Sequence, residues 1–169
     1  PTTCEKLYSP QIVTSGPDDH VIHILALCKD ASLQLDYQDN TGTVLYSRTS
    51  DGGITWDPLH FDFNLDPNSF GFSELSLIWA EPKDDVLAFV VGDYFTNLIL
   101  VKSNDGGDTW QETLIWEHPF PNMEFGVTVT DTFWAPTGSM DIALDEDQRA
   151  NVVFSLCHIA STISTIWYY

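Results

Sequence analysis

The side chains able to do chemistry are unevenly supplied in this chain of 169 residues, with 25 Asp and Glu against 6 Lys and Arg, 5 His and 3 Cys. Two carboxylates flanking a glycosidic bond are the least demanding constellation such a chain can build. Glu74, Asp93, Glu124 and Asp141 sit at apparent inner or loop positions and are the candidates, although each is better read as a solvated turn or edge acid. His20, His23, His60, His118 and His158 have no Ser/His/Asp or Cys/His neighbourhood of recognisable context. His20 and His23 flank one strand at an odd offset, so alternation sends their rings to opposite faces and denies them a shared metal. Cys4, Cys28 and Cys157 leave at least one thiol unpaired. With no CxxC and no Cys/His cluster, no zinc site is expected. Cys28 and Cys157 both end apolar runs and read as small buried apolar residues. A guanidinium is the group for bidentate carboxylate binding, and only Arg48 and Arg149 are present. Arg48 reads as an exposed strand residue and Arg149 as one side of a surface ion pair in an acidic turn. Aromatic residues offer a binding surface instead. Trp116, Phe120, Phe125, Phe133 and Trp134 gather in or beside the stretch 117–138, and the ligand-binding candidates are Trp116, Phe120, Phe125 and Trp134. Their alternative role is a local core over the edge of a sheet.

The net charge of −19 removes whole classes of partner. No basic surface is available to displace counterions from nucleic acid or to dock on an anionic membrane. No apolar run reaches the roughly 18–20 residues that span a bilayer, so no membrane insertion is expected. No signal peptide is visible, and the start at Pro1 without an initiator Met reads as a chain processed or cut from something longer. The charge does not imply disorder, because 43% of residues are hydrophobic and 13% aromatic, with the acids scattered rather than in blocks.

The elements that must position these residues read as β throughout. Short runs rich in Val, Ile, Leu, Phe and Thr alternate with turn signals: Val21–Cys28, Thr43–Tyr46, Glu74–Trp79, Asp85–Val91, Leu98–Val101, Asn151–Cys157 and Thr162–Tyr169. No stretch has sustained helical periodicity. An internal repeat is plain. Thr49-Ser50-Asp51-Gly52-Gly53-Ile54-Thr55-Trp56 matches Ser103-Asn104-Asp105-Gly106-Gly107-Asp108-Thr109-Trp110 at a constant offset of 54 positions. Each copy follows a strand. A wider pattern of acidic turn and apolar strand occurs three times, giving units of about four strands at 8–61, 72–116 and 139–169, with 117–138 as an insertion or long loop. Pro119, Pro121 and Pro136 make that insertion a poor central strand.

The two copies resemble Asp boxes, also called BNR repeats, of the sialidase-like β-propellers. The fit rests on Thr49, Asp51, Gly53, Thr55 and Trp56 in the first and Ser103, Asp105, Gly107, Thr109 and Trp110 in the second. The resemblance implies an all-β fold of four-stranded antiparallel blades, each box lying in the hairpin between a blade's third and fourth strands, at the periphery. As a turn the motif makes physical sense. The Asp accepts from backbone N–H groups just ahead of it, the second Gly supplies a positive φ, the Thr suits a strand start, and the Trp closes over the turn. Calcium at the boxes is a weaker alternative, since neither has the ligand array of a six- to eight-coordinate site, and no cofactor is expected.

The family's sialidase chemistry needs an arginine triad, which two arginines cannot supply. The resemblance therefore implies a propeller module that binds a glycan or protein ligand, the alternative being part of a glycoside hydrolase whose other catalytic residues lie elsewhere. Typical rings have four to eight blades, so three units form an incomplete ring, its remaining blades coming from a longer chain or a partner chain. Blades one and three are too far apart for a Cys28–Cys157 bond. An extracellular or periplasmic location follows from the resemblance alone.

Overall fold

Alternating apolar residues make strands, and here three sets of them fold as three antiparallel sheets. The computed structural model describes residues 7–28, 42–65, 72, 76–120, 123, 127–162 and 164–168. The first sheet has the order β1 (Leu7–Ser15), β2 (Val21–Cys28), β3 (Thr43–Thr49), β4 (Phe61–Asp62). The second repeats it with β5 (Leu77–Trp79), β6 (Leu87–Val91), β7 (Leu98–Ser103), β8 (Gln111–Trp116). The third runs β11 (Ile166–Tyr168), β10 (Ala150–Ser161), β9 (Phe133–Leu144) and has three strands among the described residues. The fold is all-β, and among the described residues the sheets form no closed barrel and one short 3-10 turn occurs, at Pro17–Asp19.

Alternation explains the stacking. In β6, Leu87, Phe89 and Val91 point to one face and join Leu25, Leu27, Val44, Tyr46 and Phe63 of the first unit in one apolar cluster. Ala88 and Val90 point the other way and meet Ile142 and Leu144 of the third. The second sheet is thus covered on both faces, and this is why β6 is a continuous apolar run buried at all 5 positions. The first strands also neighbour one another. The Gln11 amide of β1 donates to the Leu77 carbonyl and accepts from the Trp79 N–H of β5, and β9 lies against β5 and β6.

Several sequence expectations shift. The third unit begins earlier than position 139, because β9 starts at Phe133, inside the supposed insertion. Pro136 is tolerated there because β9 is the edge strand of its sheet and Pro136 lies opposite Leu156, beside a bulge at Phe154/Leu156. Of the run expected over Thr162–Tyr169, the described residues form a strand at Ile166–Tyr168. Cys28 is buried, as expected, but as half of a disulfide rather than as a free apolar residue. Cys157 is free, its thiol pushed up by burial. Cys4 lies outside the described residues.

Candidate functional site

Each box closes its hairpin with the same set of bonds. The Thr49 hydroxyl donates to Asp51 Oδ1 at 2.9 Å and accepts from the Gly53 N–H at 3.0 Å. Ser103 does the same for Asp105 and Gly107, at 2.7 and 2.8 Å. The aspartates do not bond just ahead of themselves, as an Asx turn would. They reach across the loop to the residue four ahead, accepting from the Thr55 N–H at 2.9 Å and its hydroxyl at 2.6 Å. Asp105 accepts from Thr109 at 2.9 and 2.5 Å. The threonines therefore serve as donors within the loop, not as strand starts. Their hydroxyls, with the backbone bonds, hold both carboxyls down at about 2. Both glycines of each pair have positive φ, 73° and 89° in the first box and 68° and 90° in the second. The rings of Trp56 and Trp110 close over the second glycine of each pair.

The boxes lie between β3 and β4 and between β7 and β8, and the second is wedged against the first sheet. Arg48, one residue before the first box, donates to the Gly106 carbonyl at 2.9 Å and to Asp108 Oδ1 at 2.7 Å. Its Nε donates to the Asp57 carbonyl at 3.0 Å. Arg48 is therefore a clamp between units, with 23% of its side chain exposed, rather than the exposed strand residue expected. Lys102 occupies the equivalent position before the second box and reaches forward in turn, donating to the Gln148 carbonyl of the third unit at 2.7 Å. Arg149 matches its expectation, paired with Asp145 at 3.0 Å and Asp147 at 2.6 Å.

Beneath the Arg48 clamp runs a buried polar chain that the sequence reading missed. His23 Nε2 meets Ser15 Oγ at 2.8 Å and its Nδ1 meets the Tyr46 hydroxyl at 2.8 Å. His23 and Tyr46 are fully buried. Burial first, then the Arg48 charge, lowers the imidazole pKa to about 4, leaving it neutral near pH 7. Burial raises the Tyr46 phenol above its ordinary value. Ser15 and His23 are eight residues apart, and only the β1–β2 register, with Val13 opposite His23, brings them together. The connectivity is that of nucleophile, base and orienter. Ser15 opens on a cleft of about 350 Å³ lined also by Asp57, Asp85 and Asp105. Those carboxylates oppose the negative charge that an acyl-transfer intermediate develops. The chain therefore reads as a satisfied buried network joining the first sheet to the second box.

Of the candidate acids, the two among the described residues are each engaged locally. Asp93 is buried and caps its own turn, accepting from the Phe95 N–H at 2.9 Å and the Thr96 hydroxyl at 3.3 Å. Asp141 is exposed on β9 and accepts from the Ile142 N–H. Glu74 and Glu124 lie outside the described residues. Among the described residues no group of three or more His, Cys, Asp and Glu is placed to hold a metal.

The aromatic candidates separate. Trp116 packs into the cluster between the second and third sheets and meets Phe154 edge-on. Phe120 meets Phe133 at 4.9 Å, with His118 on the same ring at 5.3 Å. Phe125 lies outside the described residues. Among the described candidates Trp134 is the exposed one, 49% accessible on β9 and against the His158 ring at 3.7 Å. No family model, curated protein or solved structure matches the chain.

Proposed function

We propose that this chain contributes blades to an Asp-box propeller, and that it works by binding a glycan or protein ligand rather than by catalysis. The observation that carries the reading is the repeated box. Two eight-residue motifs 54 positions apart close equivalent hairpins with equivalent bonds, in sheets that each bury a face on the next. The binding surface is best sought at Trp134, an accessible indole on a rigid strand. Both arginines are already engaged in other contacts, so a carboxylate-bearing sugar has no guanidinium clamp, and an uncharged sugar or an apolar protein surface is the better ligand. The disulfide at Cys28 favours an oxidising compartment, extracellular or periplasmic. Calcium at the boxes gains no support, since Asp51 and Asp105 spend their oxygens on the loop itself. The glycoside hydrolase alternative requires further catalytic residues from blades beyond these three sheets. A glycan array tests the reading: binding by the wild type that is lost in Trp134→Ala supports it. Turnover of an aryl glycoside by the chain alone would move the assignment to the enzyme.

A further inference from the structure

The second box departs from the first at a position the motif leaves open, where Ile54 stands in one copy and Asp108 in the other. Asp108 lies on a groove of about 280 Å³ between the first sheet and the second box, lined by Pro58, Phe61 and Trp110 with Arg48, Asp57 and Asp108. The first two units supply every one of these residues. Phe61 lies opposite Tyr46, so it shares the face of the first sheet that packs toward the second. Phe63 meets the Phe61 ring edge-on at 5.1 Å and the Trp110 ring at 5.2 Å. Both groove rings are thus backed by the core, yet Phe61 remains 44% exposed and Trp110 half-buried. The polar rim is held as well. The Arg48 N–H donates to the Pro58 carbonyl at 3.0 Å, and the Asp57 N–H to the Arg48 carbonyl at 2.8 Å. A site held before its ligand arrives has less to order on binding.

The polar atoms decide what fills it. Arg48 donates from Nε and Nη1, and Asp108 accepts on Oδ1. Among the described residues Arg48 Nη2, Asp108 Oδ2 and the Asp57 carboxylate have no further partner. The groove therefore offers both an unspent donor and unspent acceptors. An anion satisfies Arg48 but is repelled by two carboxylates, and a cation satisfies the carboxylates but is repelled by the guanidinium. A hydroxyl group donates and accepts at once, and so meets both. The rings and Pro58 call for an apolar body beside those hydroxyls. The volume lies near the lower end of ligand pockets, roughly 300–1,000 Å³, and suits one ring rather than an extended chain.

We propose that this groove binds one ring of a neutral sugar, its C–H face against Phe61 and Trp110 and its hydroxyls bonded to Asp108 and Arg48. The inference rests on the ligand-binding reading above and adds a sugar site away from Trp134.

Saturation-transfer difference NMR of the whole chain with methyl β-glucoside, methyl β-galactoside and methyl α-mannoside tests the site, with circular dichroism as the check on folding. At least one of these pyranosides gives a saturable signal, carried by its ring C–H protons. Phe61→Ala, a change at a half-exposed edge position, weakens that binding by about tenfold or more. Asp108→Asn keeps an acceptor for Arg48 at Oδ1, removes the one at Oδ2, and weakens binding to a similar extent. Trp134→Ala leaves it unchanged. Absence of saturable binding by all of the pyranosides overturns the proposal. So does a folded Phe61→Ala or Asp108→Asn variant that binds like the wild type. Tighter binding of tetramethylammonium or of methyl glucuronide also overturns it, by marking a cation or an anion site. Binding that is lost in Trp134→Ala but intact in the groove variants sinks this site and leaves the reading above standing, so the two fail separately.

Discussion

Gly53 and Gly107 occupy equivalent positions with nearly the same φ, 89° and 90°, yet they do not tolerate change equally. A Cβ on Gly53 meets only the Trp56 ring, at an ordinary 3.8 Å. Gly53→Ala therefore costs the left-handed backbone strain, about 1–2 kcal/mol. A Cβ on Gly107 lands on the Tyr46 hydroxyl, the group that satisfies His23. Gly107→Ala adds the loss of a buried hydrogen bond, about 1–3 kcal/mol more. Urea unfolding of the two variants reads the difference, and equal losses would refute the wedge. His23 gives a second prediction. Its pKa in the fold is about 4, below the ordinary 6.5, so folding favours the neutral ring. That contribution is complete above pH 6.5 and is lost as pH falls from 6.5 to about 4, to a limit of about 3 kcal/mol. His23→Gln flattens the stability profile in that window. Asp51 and Asp105 act lower: with carboxyls held at about 2, their contribution is present above 3.8 and lost as pH falls toward 2.

At the scale of elements, the clamps tie each sheet to its successor. Arg48 and Lys102 precede their boxes by one residue, so the 54-position repeat extends to a cation, which the sequence presented at Arg48 only as an exposed strand residue. What they hold was illegible there, since their acceptors lie 58 and 46 residues away. That the boxes are turns following strands, by contrast, was legible, because Asp and Gly have local turn preferences that do not depend on distant contacts; their place between a third and a fourth strand was implied by the resemblance. Their internal bonding was not legible: whether a carboxylate accepts from the next residues or from the fourth is decided by loop closure. Arg48→Ala removes bonds to Gly106 and Asp57 carbonyls and a pair with Asp108, which is itself mostly exposed and contributes less than the carbonyl bonds. A loss of about 1–2 kcal/mol is expected. Lys102→Ala is expected to cost about 1 kcal/mol. The two sites lie at different interfaces, so denaturant midpoints of the double variant report their sum. A strongly non-additive result would mean that one interface depends on the other.

Over the whole molecule, apolar runs between turn signals were enough to read the chain as β, because a pattern of period two marks strands and their buried sides together. The recurring acidic turn and strand gave three units, while their antiparallel four-stranded form was implied only by the resemblance, and the third sheet has three strands among the described residues. The boundaries of the third unit escaped because Pro136 reads as a loop residue unless the strand is known to be at an edge. The Ser15–His23–Tyr46 chain escaped because pairing across β1, β2 and β3, rather than proximity in sequence, assembles it. The disulfide at Cys28 escaped because burial looks the same for a thiol and a half-cystine.

The double covering of the second sheet has a consequence for how the protein breathes. Each face of β6 is closed by a neighbouring sheet and each edge by β5 or β7, so its amides reach water only when a whole neighbour departs. Hydrogen–deuterium exchange should find Phe89 and Val90 slowest of all, approaching the rate of global unfolding. Amides of β11 should exchange orders of magnitude sooner. The ladder of rates between them then measures, sheet by sheet, the order in which the stack opens.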